Sequence, residues 1–213
     1  MNPANLTFIH RYLPVPVAAG GPSLLLLHGT GGDEDSLLSL RDALAPGAAA
    51  LSPRGKVLEN GMPRFFRRLA EGVLDEADLR LRTAELADFV DDAAGIYGLD
   101  RARLYAVGYS NGANIAASML LLRPGTVAGA VLLQPMVPLR PETPTNLAGT
   151  PVFVAGGRRD PIVPPAQTEE LVTLLRSSGA DVQLYWHPGG HELGGDLLAA
   201  RDWLAGLTRR PAR

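Results

Sequence analysis

The chain has 213 residues, 46% of them apolar, enough for one sizeable core and short for two, so a single domain spanning 1–213 is expected. Its 20 Lys and Arg against 22 Asp and Glu leave a formal charge of −2, which excludes a global field drawing it to nucleic acid or to an anionic membrane. Cysteine is absent, which excludes disulfides, thiolate metal sites and a thiol nucleophile, and leaves hydroxyls, carboxylates and amines to act instead.

Residues 1–5 carry no basic stretch leading into an apolar run, and no later run approaches about eighteen apolar residues, so no stable membrane insertion is expected and the cytoplasm is the expected compartment. Residues 6–13 alternate like an early strand, and Ser23–Leu27 is a short apolar run ending abruptly at His28-Gly29. Residues 35–44 place Leu37, Leu38, Leu40 and Leu44 on roughly one helical face. Residues 52–73 have no clear period. Glu76–Tyr97 is again helical in period, through Leu79, Leu86, Phe89, Val90 and Ala93. Residues 104–107 read as a strand, followed by a helix over Asn111–Leu122 that Pro124-Gly125 stops. Further strands are expected at 127–133, 151–155 and 182–186, and further helices at 165–176 and 196–207. The Pro-rich segment 134–149 is a second long loop, and loops of this length in a compact domain are usually functional or disordered. Short apolar strands alternating with longer helices predict the α/β class, a mainly parallel sheet covered by helices on both faces.

Gly108-Tyr109-Ser110-Asn111-Gly112 is a G-x-S-x-G lying directly between a predicted strand and a predicted helix. A serine at the apex of such a turn is forced into a strained conformation that lifts its hydroxyl clear of the sheet, with the free N–H groups of the helix facing whatever oxygen sits above it. A glycine-rich turn with Ser110 as a helix cap is the plainer reading, and placement on strand, turn and helix favours the nucleophile. His28-Gly29-Thr30-Gly31-Gly32-Asp33 brings bare backbone to the end of another strand, where backbone N–H groups can receive the negative oxygen of a tetrahedral intermediate. Thr30 and Asn111 are the expected donors. No G-x-G-x-x-G opens a helix here and no G-K-S/T follows, which argues against a phosphate loop.

A serine hydroxyl needs a base, and imidazole suits the task at neutral pH. His10 lies in the first strand and His28 is expected to brace the glycine loop. In Trp186-His187-Pro188-Gly189-Gly190-His191, His187 is tied to a strand and to a rigid proline, whereas His191 lies beyond two glycines on a loop free to reach back over the sheet, and it is the preferred base. The carboxylate that orients the base falls between serine and histidine in this order of elements. Of Glu142, Asp160, Glu169, Glu170 and Asp181, only Asp160 follows a strand at its carboxyl end, though an Asx-turn before Pro161 is the plainer reading for it.

The spacing of these motifs resembles the compact phospholipase/carboxylesterase branch of the α/β-hydrolases, which includes the acyl-protein thioesterases, over nearly the whole chain. Residues 52–55 and 60–68 are further similar to bacterial members linked to quinone and hydroquinone resistance. The resemblance implies a cofactor-free acyl-enzyme mechanism on a small-molecule ester and a shallow pocket without a large lid domain. It leaves homodimerisation open. It departs from many relatives at Asn111, where they carry Gln. Met62, Phe65, Phe66, Met136, Val137 and Leu139 form either an apolar pocket wall or tethers for their loops. Arg64, Arg67 and Arg68 would share a face if their segment were helical, as an acidic-group site or an ordinary solvated surface.

Carboxylesterase action on small to medium acyl esters is the expected function, with acyl thioesterase or lysophospholipase action as the alternative. Dienelactone hydrolases share the scaffold but usually place cysteine at the elbow, so lactone hydrolysis ranks lower. A non-catalytic binding protein would not require Ser110, Asp160 and His191 together.

Overall fold

The computed structural model describes residues 6–15 and 21–208. The expectation drawn from residues 1–5 falls outside them. At the centre is a seven-stranded sheet. Its strands are β1 (His10–Leu13), β2 (Ser23–Leu27), β3 (Ala49–Pro53), β8 (Leu104–Tyr109), β9 (Gly129–Leu133), β10 (Pro151–Gly157) and β11 (Asp181–His187), in the order β1-β3-β2-β8-β9-β10-β11. β1 pairs antiparallel with β3 and every other neighbour pair is parallel. Among the described residues no large lid domain rises over it.

The sequence of β2 shows how two faces are built from one apolar run. Leu25 and Leu27 enter one core cluster while Leu24 and Leu26 enter the other, as the two-residue period of a strand requires. α2 (Glu76–Tyr97), α3 (Asn111–Leu122) and α4 (Pro165–Ser177) cover the first face with Leu86, Val90, Ile115, Met119 and Leu171. α1 (Leu38–Leu44) and α5 (Asp196–Thr208) cover the second with Leu40, Leu44, Ala200 and Leu204. α2 is capped as its sequence suggests, with the Asp75 side chain accepting from the Asp78 N–H and Gly98 in the left-handed region closing the helix.

Four features differ from expectation. The first strand is confined to His10–Leu13, and α1 begins at Leu38 rather than at residue 35. β3 lies in an Ala-rich stretch with weak strand propensity and is held by the strands on either side of it. Residues 52–73 hold two small antiparallel hairpins, β4 (Val57–Glu59) with β5 (Met62–Arg64) and β6 (Arg68–Ala70) with β7 (Val73–Leu74). Arg64, Arg67 and Arg68 therefore share no helical face: Arg64 ends β5 and is buried, and Arg68 opens β6.

Candidate active site

The parallel strands deliver their following loops to one edge of the sheet, the edge where such folds gather ligands. Ser110 follows β8, Asp160 follows β10 and His191 follows β11, while His28 to Gly32 follow β2.

Ser110 has φ 52° and ψ −114°, a conformation that an L-residue adopts at a cost on the order of 1–3 kcal/mol. The flanking glycines make the turn possible. A Cβ on Gly112 would overlap the Leu27 carbonyl, and one on Gly108 would overlap the Gly112 carbonyl. The strained turn is pinned from the neighbouring strand, because the Ser110 N–H donates to the Leu133 carbonyl at 2.9 Å.

The structure brings together the three side chains singled out by motif order. His191 Nε2 lies 2.9 Å from Ser110 Oγ, and His191 Nδ1 lies 2.7 Å from Asp160 Oδ2. The other carboxylate oxygen of Asp160 accepts the N–H groups of Ile162 at 2.8 Å and Val163 at 2.9 Å, so this buried group is both anchored and hydrogen-bonded. The Asx-turn expected as the plainer reading is thus present, and it leaves Oδ2 free for the imidazole. With a proton held on Nδ1 by Asp160, Nε2 presents its lone pair to the serine hydroxyl.

The loop carrying His191 is held by groups that the motifs did not reveal. Tyr109 Oη donates to the His191 carbonyl at 2.8 Å, and burial, with Asp160, Glu192 and Asp196 nearby, pushes the phenol up, which keeps its proton in place. Gln134, at φ 55° just past β9, donates from Nε2 to the Glu192 carbonyl at 3.2 Å. The same amide nitrogen lies 2.9 Å from His187 Nε2 and 3.3 Å from the buried Asp196 carboxylate. His187 thus faces a buried amide rather than Ser110. Tyr109 was visible inside the elbow motif as a variable position, whereas Gln134 follows its strand with no sequence signal.

His28 braces the glycine loop. Its Nδ1 lies 2.7 Å from the Gly29 carbonyl and its Nε2 accepts the Gly55 N–H at 2.9 Å, an arrangement that suits the neutral ring. Burial holds its pKa below the ordinary value, against the smaller opposing pull of the Gly29 carbonyl. The unfolded chain therefore takes up the proton first, near pH 6.5, and the stability contributed by the neutral ring is full above that value and is lost as pH falls from there toward the folded value. We expect His28→Gln to be less stable than the parent at pH 8, with the difference in Tm narrowing by pH 5.5. A difference that stays constant over that range would show that the ring is not held neutral.

In the glycine loop the N–H of Gly31 donates to Pro63 and that of Gly32 to Gly29, at 2.9 and 3.1 Å, while Thr30 donates its N–H in none of the loop and turn bonds among the described residues. The Asn111 N–H is the first of α3, where no intrahelical acceptor exists. Phe65 and Phe66 are 2% and 0% exposed and lie in the core. Leu139 is buried in the same core. Met62 remains 40% exposed beside Gly31. Met136 and Val137, half-buried, and Leu139 line a cleft of about 310 Å³ with Val73, Leu74 and Gln167. A cavity of about 430 Å³ between α1 and α5 lies at the opposite, amino-terminal ends of the strands. No group of residues suited to a metal ion, and no helix long and apolar enough to cross a membrane, occurs among the described residues.

The sequence profile of the dienelactone hydrolase family matches residues 67–192. A protein of Bacillus subtilis (strain 168) named "Putative hydrolase MhqD" is 53% identical over 181 residues, covering 84% of this chain and 90% of its own. Among solved structures, the carboxylesterase of Bacillus cereus superposes with a TM-score of 0.92 at 49% identity, over 95% of this chain and 96% of that one. The carboxylesterase of Mesorhizobium loti superposes with a TM-score of 0.89 at 36% identity, over 95% and 96%. The matching profile is that of the branch ranked lower for want of a cysteine, and in this chain the elbow position holds Ser110.

Proposed function

The chain belongs to the dienelactone hydrolase family of α/β-hydrolases, and from that premise we propose that it is a serine carboxylesterase working through an acyl-enzyme. The observation that carries this reading is the unbroken hydrogen-bond chain from Asp160 through His191 to Ser110, at 2.7 and 2.9 Å. In the proposed mechanism Ser110 Oγ attacks the ester carbonyl carbon as its proton passes to His191 Nε2. The carbonyl oxygen becomes an oxyanion between the N–H groups of Thr30 and Asn111, with the N-terminus of α3 behind it. Collapse expels the alcohol, which takes the proton from His191 and leaves Ser110 esterified. Water, deprotonated by the same imidazole, then releases the acid and restores the hydroxyl. Asp160 keeps its charge throughout and stabilises the imidazolium formed in each half.

In this reading the enzyme is cofactor-free, and its partner is a small ester whose acyl or alcohol part rests against Met62, Met136 and Val137. Relatives that are named carboxylesterases support the ester, and the family's name supports a second reading in which a ring lactone is opened by the same steps. A panel of p-nitrophenyl esters of increasing acyl length, run beside thioester and lactone substrates, separates them. We expect the highest kcat/KM on a short or medium acyl ester, with stoichiometric labelling by a fluorophosphonate. A protein that takes no label and turns over no member of the panel would return the chain to the non-catalytic class.

A further inference from the structure

The two donors of the proposed oxyanion site sit on different elements, one on the loop after β2 and one at the start of α3, and three consecutive residues touch both. The Pro63 carbonyl accepts the Gly31 N–H at 2.9 Å, Arg64 Nη1 donates to Thr30 Oγ1 at 2.7 Å, and the Phe65 N–H donates to Asn111 Oδ1 at 2.7 Å. We propose that Pro63, Arg64 and Phe65 form a strap that fixes both halves of the oxyanion site, with Arg64 as a positioning residue acting through Thr30. The inference rests on the serine-esterase reading and assigns a role within it.

Arg64 is 4% exposed, an expensive place for a guanidinium. Its Nε donates to the Phe66 carbonyl at 3.1 Å and lies 3.2 Å from Glu59, but that carboxylate is shared with Arg68, whose Nη2 is 2.8 Å away. The trio keeps a net positive charge. Burial pushes the guanidinium down from its ordinary value, yet an arginine starts so high that it stays protonated. A cation one hydroxyl removed from the Thr30 N–H favours negative charge on an oxygen bound there, and the planar fork holds Thr30 and the Phe66 carbonyl at once from two nitrogens fixed in one plane. The Asn111 amide is oriented by the Phe65 N–H, its buried Nδ2 having no partner among the described residues.

The test compares Arg64→Met, Thr30→Val and their double variant with Ser110→Ala, reading kcat, KM and the affinity of a trifluoromethyl ketone analogue of the tetrahedral intermediate. Displacing a donor without deleting it is expected to lower kcat and analogue affinity by about 10- to 100-fold, with KM for a short ester moving less than about 3-fold. The double variant should lose no more than the worse single one, because both remove the same bond. Thr30→Ser, which keeps the hydroxyl, should recover most of the Thr30→Val loss. Thr30 is exposed, so this pair carries the test even if Arg64→Met fails to fold. Losses that multiply in the double variant, or undiminished analogue affinity in both singles beside an inactive Ser110→Ala, overturn the strap alone. An active Ser110→Ala overturns the esterase reading and the strap with it.

Discussion

Ser110→Ala is expected to lower kcat by about 10⁶-fold while leaving the protein folded. The size of the effect follows from how the parts depend on one another. Without Oγ the imidazole of His191 has no proton to accept, so losing the hydroxyl idles the base and the carboxylate together. What survives is the oxyanion site and the binding cleft, worth roughly 10³–10⁴ over uncatalysed hydrolysis in related cases. Folding should be spared because among the described residues Oγ bonds only to His191 Nε2, while the turn is held by the Ser110 N–H to Leu133 and by Gly108 and Gly112, none of which changes. Alanine at φ 52° is strained no more than serine. The measurement is steady-state turnover of the best ester, with active sites titrated by fluorophosphonate to exclude contaminating enzyme. A variant that folds and retains even a hundredth of the parent rate would remove Ser110 as nucleophile.

The elements legible in sequence are those with a long period or sharp punctuation. α2 spans Glu76–Tyr97 and α3 spans Asn111–Leu122, as apolar spacing and Pro124-Gly125 indicate. β2 is written as an apolar run cut off by His28-Gly29. The site was legible for a related reason: a G-x-S-x-G, an Asp just past a strand and a His past two glycines each mark a strand's carboxyl end, and a parallel sheet sends all such ends to one edge. β3 was not legible, because Ala49, Ala50 and their neighbours have little strand preference and pair only because β1 and β2 flank them. The hairpins of residues 57–74 are too short for any period to show in strands of two or three residues. The contacts of Arg64 were hidden for that reason: a helix would have turned Arg64, Arg67 and Arg68 to one side, whereas the end of a short strand sends Arg64 inward to Thr30 and Glu59.

Gln134 and His187 show the same limit on the base loop. Nothing near Gln134 announces a functional position, and its place is fixed by the sheet order that sets β9 between β8 and β10. There its side chain reaches the loop after β11 and holds the residue next to His191.

His187, which ends β11, and His191, on the loop after it, give the second large expected effect. His191→Ala should lower kcat by about 10⁶-fold, matching the serine change, because the hydroxyl then lacks its acceptor and the leaving alcohol its proton donor. His187→Ala should keep most of its activity, since that ring lies against Gln134 and away from Ser110. It should instead lose stability, by roughly 1–3 kcal/mol, because it opens a cavity and strips a partner from a buried amide. The pair is therefore read on two axes, turnover of the best ester and Tm. His191→Ala should be inactive with a smaller loss of Tm than His187→Ala, its ring being half-buried where that of His187 is buried. His187→Ala should be active with a Tm several degrees lower. Added imidazole gives a third reading, because a small base entering the space left by His191 should restore part of the lost rate and should do nothing for His187→Ala. Were His187→Ala the inactive variant and His191→Ala the active one, the proton would have to travel through the ring beside Gln134, and the hydrogen bonds linking Asp160, His191 and Ser110 would be structural alone.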